Sequence, residues 1–188
     1  MSSARLLVLG TILRHGIAHG YAVYQDLASW RAETWTNVKP GSIYHAMEKL
    51  ESQGLIEAVD SGDRVKRGPA RTEYALTEQG KAEFVSLLEA ALKNNDIQLY
   101  AAGIAFMELL PRERIMALLK ERLASLRDSA AFLKTLPIEA LPSAPSRHPE
   151  LVGVWVGYVE CAASATQNLI QSLAEGKYRF LGESEGKS

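Results

Sequence analysis

Residues 40–56 read PGSIYHAMEKLESQGLI, and this stretch decides the fold. A helix is predicted to begin after Pro40-Gly41, where Ser42 can cap it or enter its first turn, and Gly54 suits its end. Ile43, Met47 and Leu50 recur at helical spacing, which predicts one buried stripe. The other positions are mostly polar. The pattern therefore predicts an amphipathic helix that packs on a core and turns a polar face outward.

The flanking segments complete a small domain around this helix. Residues 3–14 predict a helix that is apolar on more than one side, and residues 20–33 predict a second helix. Two short β-prone runs, 55–59 and 72–76, flank a long connection and predict a hairpin. Thr77 is the expected N-cap of a following helix. This order of elements is that of a winged helix-turn-helix.

The second half of the chain is predicted to be helical throughout. Residues 111–136 repeat apolar side chains every three or four positions, and so do residues 150–175. Two long helices are too few to bury both apolar stripes within one chain. We therefore expect this half to form a homodimer.

These patterns together predict a mainly α protein with a small two-stranded wing. The predicted domains are a winged helix-turn-helix DNA-binding domain at 1–93 and an all-helical dimerisation and effector domain at 94–188, with a Pro-rich connector at 136–149 and a disordered tail at 180–188.

Composition excludes several classes of protein. The 188 residues are 47% hydrophobic with a net charge of −1, which is typical of a folded globular chain. A single cysteine, Cys161, allows no internal disulfide, and we expect it to be buried. No apolar run is long enough to span a bilayer, and Arg14 and His15 argue against a signal peptide, so we expect a cytoplasmic protein with no membrane partner.

The sequence contains no recognisable catalytic or metal-binding motif. His15 and His19 have the spacing of two ligands on one helical turn, but no cysteine or carboxylate completes a set. There is no phosphate-binding glycine loop and no nucleophile elbow. We therefore expect no enzyme activity, no metal and no cofactor.

Four motifs resemble those of the PadR-like transcriptional regulators. They are His-Gly-Tyr at 19–21, Pro-Gly-Ser-Ile-Tyr at 40–44, Lys-Leu-Glu-Ser-Gln-Gly-Leu-Ile at 49–56 and Tyr-Ala-Leu-Thr-Glu-Gln-Gly at 74–80. The resemblance implies a homodimer that binds a palindromic operator in double-stranded DNA, usually as a repressor, and that is released by a small hydrophobic molecule or another cellular signal. The chain departs from the family at His45, where many members have proline, and in the wing, where the basic residues are shifted.

The predicted DNA-binding residues lie on the outward face of the helix that begins after Pro40-Gly41, and beside it. A recognition helix needs polar side chains for base edges and neighbouring groups for phosphates. We assign base contacts to Ser42 and His45. We assign phosphate contacts to Tyr21, Lys39, Tyr44 and Lys49.

The predicted wing carries a second basic group at its tip, placed to follow the DNA backbone or to enter the minor groove. Its members are Arg64, Lys66, Arg67 and Arg71.

Four aromatic residues of the second half are the expected lining of an effector cleft between dimer halves. They are Tyr100, Phe106, Trp155 and Tyr158. The competing interpretation is that Trp155 belongs to the core or to the dimer interface.

A second function class also fits the sequence. Because basic and acidic residues balance in both halves of the chain, the winged fold could serve as a protein-interaction or small-molecule-binding module without operator binding.

Overall fold

The computed structural model of the chain describes residues 3–36, 38–59, 72–136 and 150–183. By their internal contacts these residues form two compact units, Met1–Leu109 and Leu110–Ser188. The short helix that follows residue 93 therefore packs with the first unit. The predicted boundary between a DNA-binding domain and a dimerisation domain at residue 93 is a functional division, and it stays a prediction.

The first unit is built from short helices around a central one. Its helices are α1 (Ser3–His15), α2 (Gly20–Ser29), α3 (Ala32–Trp35), α4 (Pro40–Ser52), α5 (Glu78–Leu92), α6 (Ile97–Ile104) and a 3₁₀ turn (Met107–Leu109). Every residue of α1 from Leu6 to Ile12 is buried, because α2, α4, α5 and α6 all pack against it. Its all-round apolar sequence is explained by these four neighbours.

A three-stranded antiparallel sheet completes the winged helix-turn-helix, and the predicted mainly helical fold class is confirmed. The strands are β1 (Ile17–His19), β2 (Ile56–Val59) and β3 (Glu73–Leu76), in the order β1-β3-β2. The sequence predicts the hairpin of β2 and β3 but assigns no strand to the residues of β1. A strand of three residues is too short to show alternation, so only its pairing with β3 reveals it.

The second predicted helix is shorter than expected. It ends at Ser29 instead of Glu33, because Arg31 adopts a left-handed conformation with φ of 55°. The separate helix α3 follows at once. Left-handed geometry is uncommon for a residue other than glycine, and a sequence pattern gives no signal for it.

The junction between β2, β3 and α5 explains two of the four motifs. The Thr77 hydroxyl accepts a hydrogen bond from the Gly80 backbone N–H and donates one to the Gly54 carbonyl, at 3.0 and 2.7 Å. A Cβ on Gly80 would lie 1.9 Å from the carbonyl oxygen of Leu55. Only glycine fits at this position, and the wing is thereby attached to the end of α4.

The second unit contains a helical hairpin, α7 (Arg112–Thr135) and α8 (Glu150–Ala174). The helices run antiparallel, since Lys134 pairs with Glu160 at 2.6 Å and Arg122 donates to Thr166 at 3.2 Å. Within the described ranges, no helix is long and apolar enough to cross a membrane.

The beginning of α8 extends beyond α7 and exposes a large apolar surface. Because α7 ends next to Glu160, its residues cannot cover the turns of α8 that precede that position. Four large apolar side chains of these turns are 42–69% exposed: Leu151, Val154, Trp155 and Tyr158. Cys161, which the sequence predicts to be buried, is exposed on α8 as well.

Arg112 attaches the segment that follows α8 to the first turn of α7. Its guanidinium binds the Glu183 carboxylate at 2.5 and 3.0 Å and lies 4.7 Å from the centre of the Phe180 ring, which is buried. It also donates to the backbone carbonyl of Tyr178 at 2.5 Å. Residues 180–183 of the predicted disordered tail are therefore packed on the helical hairpin. Residues 184–188 and the Pro-rich connector at 137–149 lie outside the described residues.

Candidate nucleic-acid interface

The outward face of α4 is polar and exposed, as its sequence predicts. Ile43, Met47 and Leu50 are at most 4% exposed and attach the helix to the core. On the opposite side, the His45 side chain is 80% exposed, and Lys49 is exposed one turn further along. A helix held on one side by three apolar contacts can present these side chains to a groove of DNA.

The N-terminus of α4 is closed by its own serine. The Ser42 hydroxyl accepts a hydrogen bond from the Lys39 backbone N–H at 2.9 Å and donates one to the Lys39 carbonyl at 2.7 Å. A hydrogen bond donated by Ser42 to a base would have to replace its bond to the Lys39 carbonyl, whereas the second lone pair of the hydroxyl can still accept from a base. The side chain of Lys39 is exposed at the same helix end, where backbone N–H groups and a cation together favour a phosphate.

The His-Gly-Tyr motif brings the first turns of α2 and α4 together. The His19 imidazole caps α2 by accepting a hydrogen bond from the Ala22 backbone N–H at 2.9 Å. A Cβ on Gly20 would lie 2.8 Å from the Tyr44 ring, so the absent side chain makes room for that ring. The structure thus assigns a capping role to His19 and a packing role to Gly20, neither of which the spacing of His15 and His19 indicates.

Two exposed tyrosines lie beside this contact. Tyr44 is 43% exposed and Tyr21 is 49% exposed, and each carries a hydroxyl that can donate to a phosphate. The Tyr21 hydroxyl accepts a hydrogen bond from Gln25, one turn further along α2, at 2.8 Å. The structure therefore brings Tyr21, Lys39 and Tyr44 to the N-terminal side of α4.

The C-terminal end of α4 is fixed to the sheet and to α1. The Tyr74 hydroxyl on β3 donates to Glu51 at 3.2 Å, and burial and this carboxylate raise the pKa of Tyr74 above its usual value. The guanidinium of Arg5 joins α4 to α5 by contacting Gln53 at 2.6 Å and Glu83 at 3.0 Å. These bonds hold the orientation of α4 relative to the wing strands.

The exposed face of α4 carries both signs of charge. Glu48 is 79% exposed and lies 3.8 Å from the His45 ring nitrogen. A carboxylate at an exposed position of this kind can accept a hydrogen bond from cytosine and repels a phosphate. The predicted basic tip of the wing, Arg64, Lys66, Arg67 and Arg71, lies outside the described residues.

The four aromatic residues expected to line an effector cleft are divided between the two units. Phe106 is completely buried in the first unit, with its ring centre 6.1 Å from that of Phe84, and Tyr100 is 5% exposed in the same core. Trp155 and Tyr158 are exposed on α8, with ring centres 5.9 Å apart. Phe106 packs over Gly10, whose missing Cβ leaves space for its ring. The assignment of the four residues to one cleft stays a prediction.

The His15 and His19 side chains have separate partners. His15 contacts Asp26 at 3.3 Å, whereas His19 caps α2. Among the residues that the structure describes, no three His, Cys, Asp or Glu side chains form a group that could hold a metal ion.

The family model of the transcriptional regulator PadR-like family matches residues 8–86. The matched segment runs from α1 into α5 and includes α4 and the wing strands. These residues belong to the PadR-like family. The resemblance seen in the four motifs is thereby confirmed, and the PadR-like segment supplies the predicted DNA-binding face. A comparison with curated protein sequences gives no match.

Solved structures of the PadR-like family are similar to this chain along most of its length. The Bacillus subtilis PadR in complex with operator DNA is 19% identical, with 90% of this chain and 98% of that chain covered and a TM-score of 0.38. The PadR-like regulator BC1756 from Bacillus cereus is 16% identical over 93% and 99% of the two chains, with a TM-score of 0.37. The Bacillus subtilis PadR in complex with p-coumaric acid is 18% identical over 92% and 99%, with a TM-score of 0.36.

Proposed function

We propose that this chain is a sequence-specific DNA-binding regulator that acts as a homodimeric repressor. The observation that carries the proposal is the exposed polar face of α4, which is anchored by three buried side chains within a PadR-like segment. In this role His45 contacts bases, and Lys39, Lys49, Tyr21 and Tyr44 contact phosphates.

Dimerisation is proposed through the exposed start of α8. Trp155 and its neighbours form a contiguous apolar patch on turns that α7 does not cover. Patches of this kind on a folded protein mark interaction sites, and tryptophan and tyrosine are enriched at their energetic centres. A second copy of the same helix supplies a complementary apolar surface, and the resulting twofold symmetry matches a palindromic operator.

Release is proposed to follow from a change in dimer geometry. A molecule that binds one arrangement of the dimer better than another shifts the population toward it. Two recognition helices that no longer match half-sites about 34 Å apart lose operator affinity.

The test of this function compares two substitutions on α4 with a control on α7. Lys49→Ala should weaken binding to all duplexes, because it removes one phosphate contact. The slope of the logarithm of the binding constant against the logarithm of the salt concentration should become shallower by about one. His45→Ala should change which sequence is preferred. Lys120→Ala, an exposed lysine in the second unit, serves as the matched control and should change neither quantity.

Three outcomes of this experiment are decisive. Equal losses from Lys49→Ala and Lys120→Ala would show that only general charge is measured and would contradict a specific role for α4. No DNA binding by the unaltered protein would instead favour the interaction-module alternative. Light scattering should show a dimer that Trp155→Ala converts to monomer, and an unchanged dimer would refute the assigned interface.

A further inference from the structure

A small cavity lies against the N-terminal end of α4, inside the first unit. Its volume is about 220 Å³, it is partly open to solvent, and its lining comes from α2, α3, the beginning of α4 and the segment between these last two helices. The residues that matter for its chemistry are Tyr24, Ala28, Ala32, Glu33, Val38 and Ile43.

The cavity has apolar walls and one charged group. Ala32, Val38 and Ile43 are at most 5% exposed and form an apolar wall. Glu33 is the one charged residue among the described residues of the lining, and its side chain is 51% exposed at the edge of the cavity. Drug-sized pockets begin at about 300 Å³, so this space suits a molecule no larger than one ring with a short side chain.

The carboxylate determines the charge of the occupant. Glu33 contacts Arg31 at 3.4 Å, but both side chains are more than half exposed, and such a pair contributes little. An ammonium group placed at Glu33 while its apolar body fills the cavity would gain both a charge-assisted hydrogen bond and apolar burial.

The walls of the cavity connect an occupant directly to the recognition helix. Ile43 is on α4, and Val38 lies in the segment just before this helix. The Thr36 hydroxyl holds this connection by donating to the Ala32 carbonyl at 2.7 Å and accepting from the Val38 N–H at 3.2 Å. A molecule between Ala32 and Ile43 would press on both sides of the turn that sets the beginning of α4.

We propose that this cavity is a binding site for compact aromatic or branched primary amines, and that its occupancy lowers the DNA affinity of α4. The effect on DNA affinity rests on the proposed function, whereas the binding of amines does not. The site is distinct from the predicted effector cleft, since none of the four aromatic residues assigned to that cleft lines this cavity.

Binding is tested by calorimetry without DNA, with 2-phenylethylamine and its neutral counterpart 2-phenylethanol as probes. The amine should bind the unaltered protein about tenfold more tightly than the alcohol. Glu33→Gln should remove this preference and leave the affinity for the alcohol unchanged. Arg31→Asn, which removes the competing cation at a backbone conformation that asparagine tolerates, should strengthen amine binding severalfold.

Filling the cavity separates this site from general surface binding. Ala28→Leu should abolish the heat of both probes, and Glu33→Gln, at an exposed position, tests the same site if the leucine variant does not fold. Equal affinities for the amine and the alcohol, or an amine affinity that Glu33→Gln leaves unchanged, would overturn the proposal. No heat with either probe would overturn it as well.

The effect on DNA affinity is measured as the anisotropy of a labelled duplex with and without saturating amine. DNA affinity should fall at least threefold in the unaltered protein and stay constant in Ala28→Leu. Unchanged DNA affinity at a saturation shown by calorimetry would overturn regulation. If the protein bound no DNA even without amine, the proposed function would fail while the calorimetry still decided the site.

Discussion

Replacing Gly20 with alanine should weaken DNA binding without unfolding the protein. A Cβ at this position would lie 2.8 Å from Cε1 and 3.2 Å from Cδ1 of Tyr44, whereas ordinary contacts begin at 3.4 Å. The ring must therefore move by at least 0.6 Å, which is 3.4 minus 2.8. Tyr44 is 43% exposed, so its ring can turn outward at little cost.

The two consequences differ in size. Alanine is a better helix former than glycine by about 1 kcal/mol, which offsets the cost of moving the ring, so the free energy of unfolding should change by less than about 1 kcal/mol. The proposed hydrogen bond from the Tyr44 hydroxyl to a charged phosphate is worth about 1.5–3 kcal/mol, which corresponds to a loss of roughly 12- to 160-fold in DNA affinity.

Urea denaturation and fluorescence anisotropy measure the two quantities on the same protein. Tyr44→Phe should lose a similar factor in affinity, because it removes the hydroxyl alone. The double variant should lose no more than the larger single loss, since both changes act on one contact. Additive losses, or full DNA affinity in Gly20→Ala alongside a loss in Tyr44→Phe, would refute the assigned relation between Gly20 and Tyr44.

Gly80→Ala should lower the free energy of unfolding by about 3 kcal/mol, because the new Cβ would lie 1.9 Å from a backbone carbonyl oxygen. Gly41→Ala is the control, since a Cβ there meets nothing within 4 Å. Equal stabilities of the two variants in urea would contradict this packing. Arg67→Ala in the wing should weaken binding to every duplex and reduce the salt slope by about one, and an unchanged slope would remove the wing from the interface. The hydrogen bond from Arg112 lowers the pKa of Glu183 below the ordinary value of a glutamate, so the stabilisation is present above that ordinary value and is lost as pH falls through the lowered pKa. Nuclear magnetic resonance should show the tail detaching in that acidic range, and Arg112→Gln should show it detached already at neutral pH, whereas an identical acid transition in both proteins would be inconsistent with this pair.

The sequence predicts the fold well where one helical face must be buried. Ile43, Met47 and Leu50 give α4 its orientation, and Thr77 gives α5 its start, because spacing and capping are local properties. It misses β1, whose three residues are identified only by pairing with β3. It also misses the break at Arg31, since a left-handed residue other than glycine has no local signature.

The candidate site was predictable as a set of residue types and less so as a set of contacts. Exposure of His45 and Lys49 follows from the opposite apolar stripe. The two bonds that Ser42 makes with Lys39, and the space that Gly20 leaves for Tyr44, depend on distances that no periodicity encodes. Phe106 shows the same limit, because a helical apolar residue can face a cleft or a core, and its neighbours Phe84 and Gly10 decide for the core.

The central claim is that the exposed face of α4 binds a specific operator. The most direct measurement is the fluorescence anisotropy of duplexes tiled across the region upstream of the protein's own gene, titrated at several salt concentrations. One palindromic duplex should bind at least about a thousandfold more tightly than the others, and this preference should persist as salt rises. Uniformly weak binding that disappears with salt, on these duplexes and on a randomised pool, would contradict it.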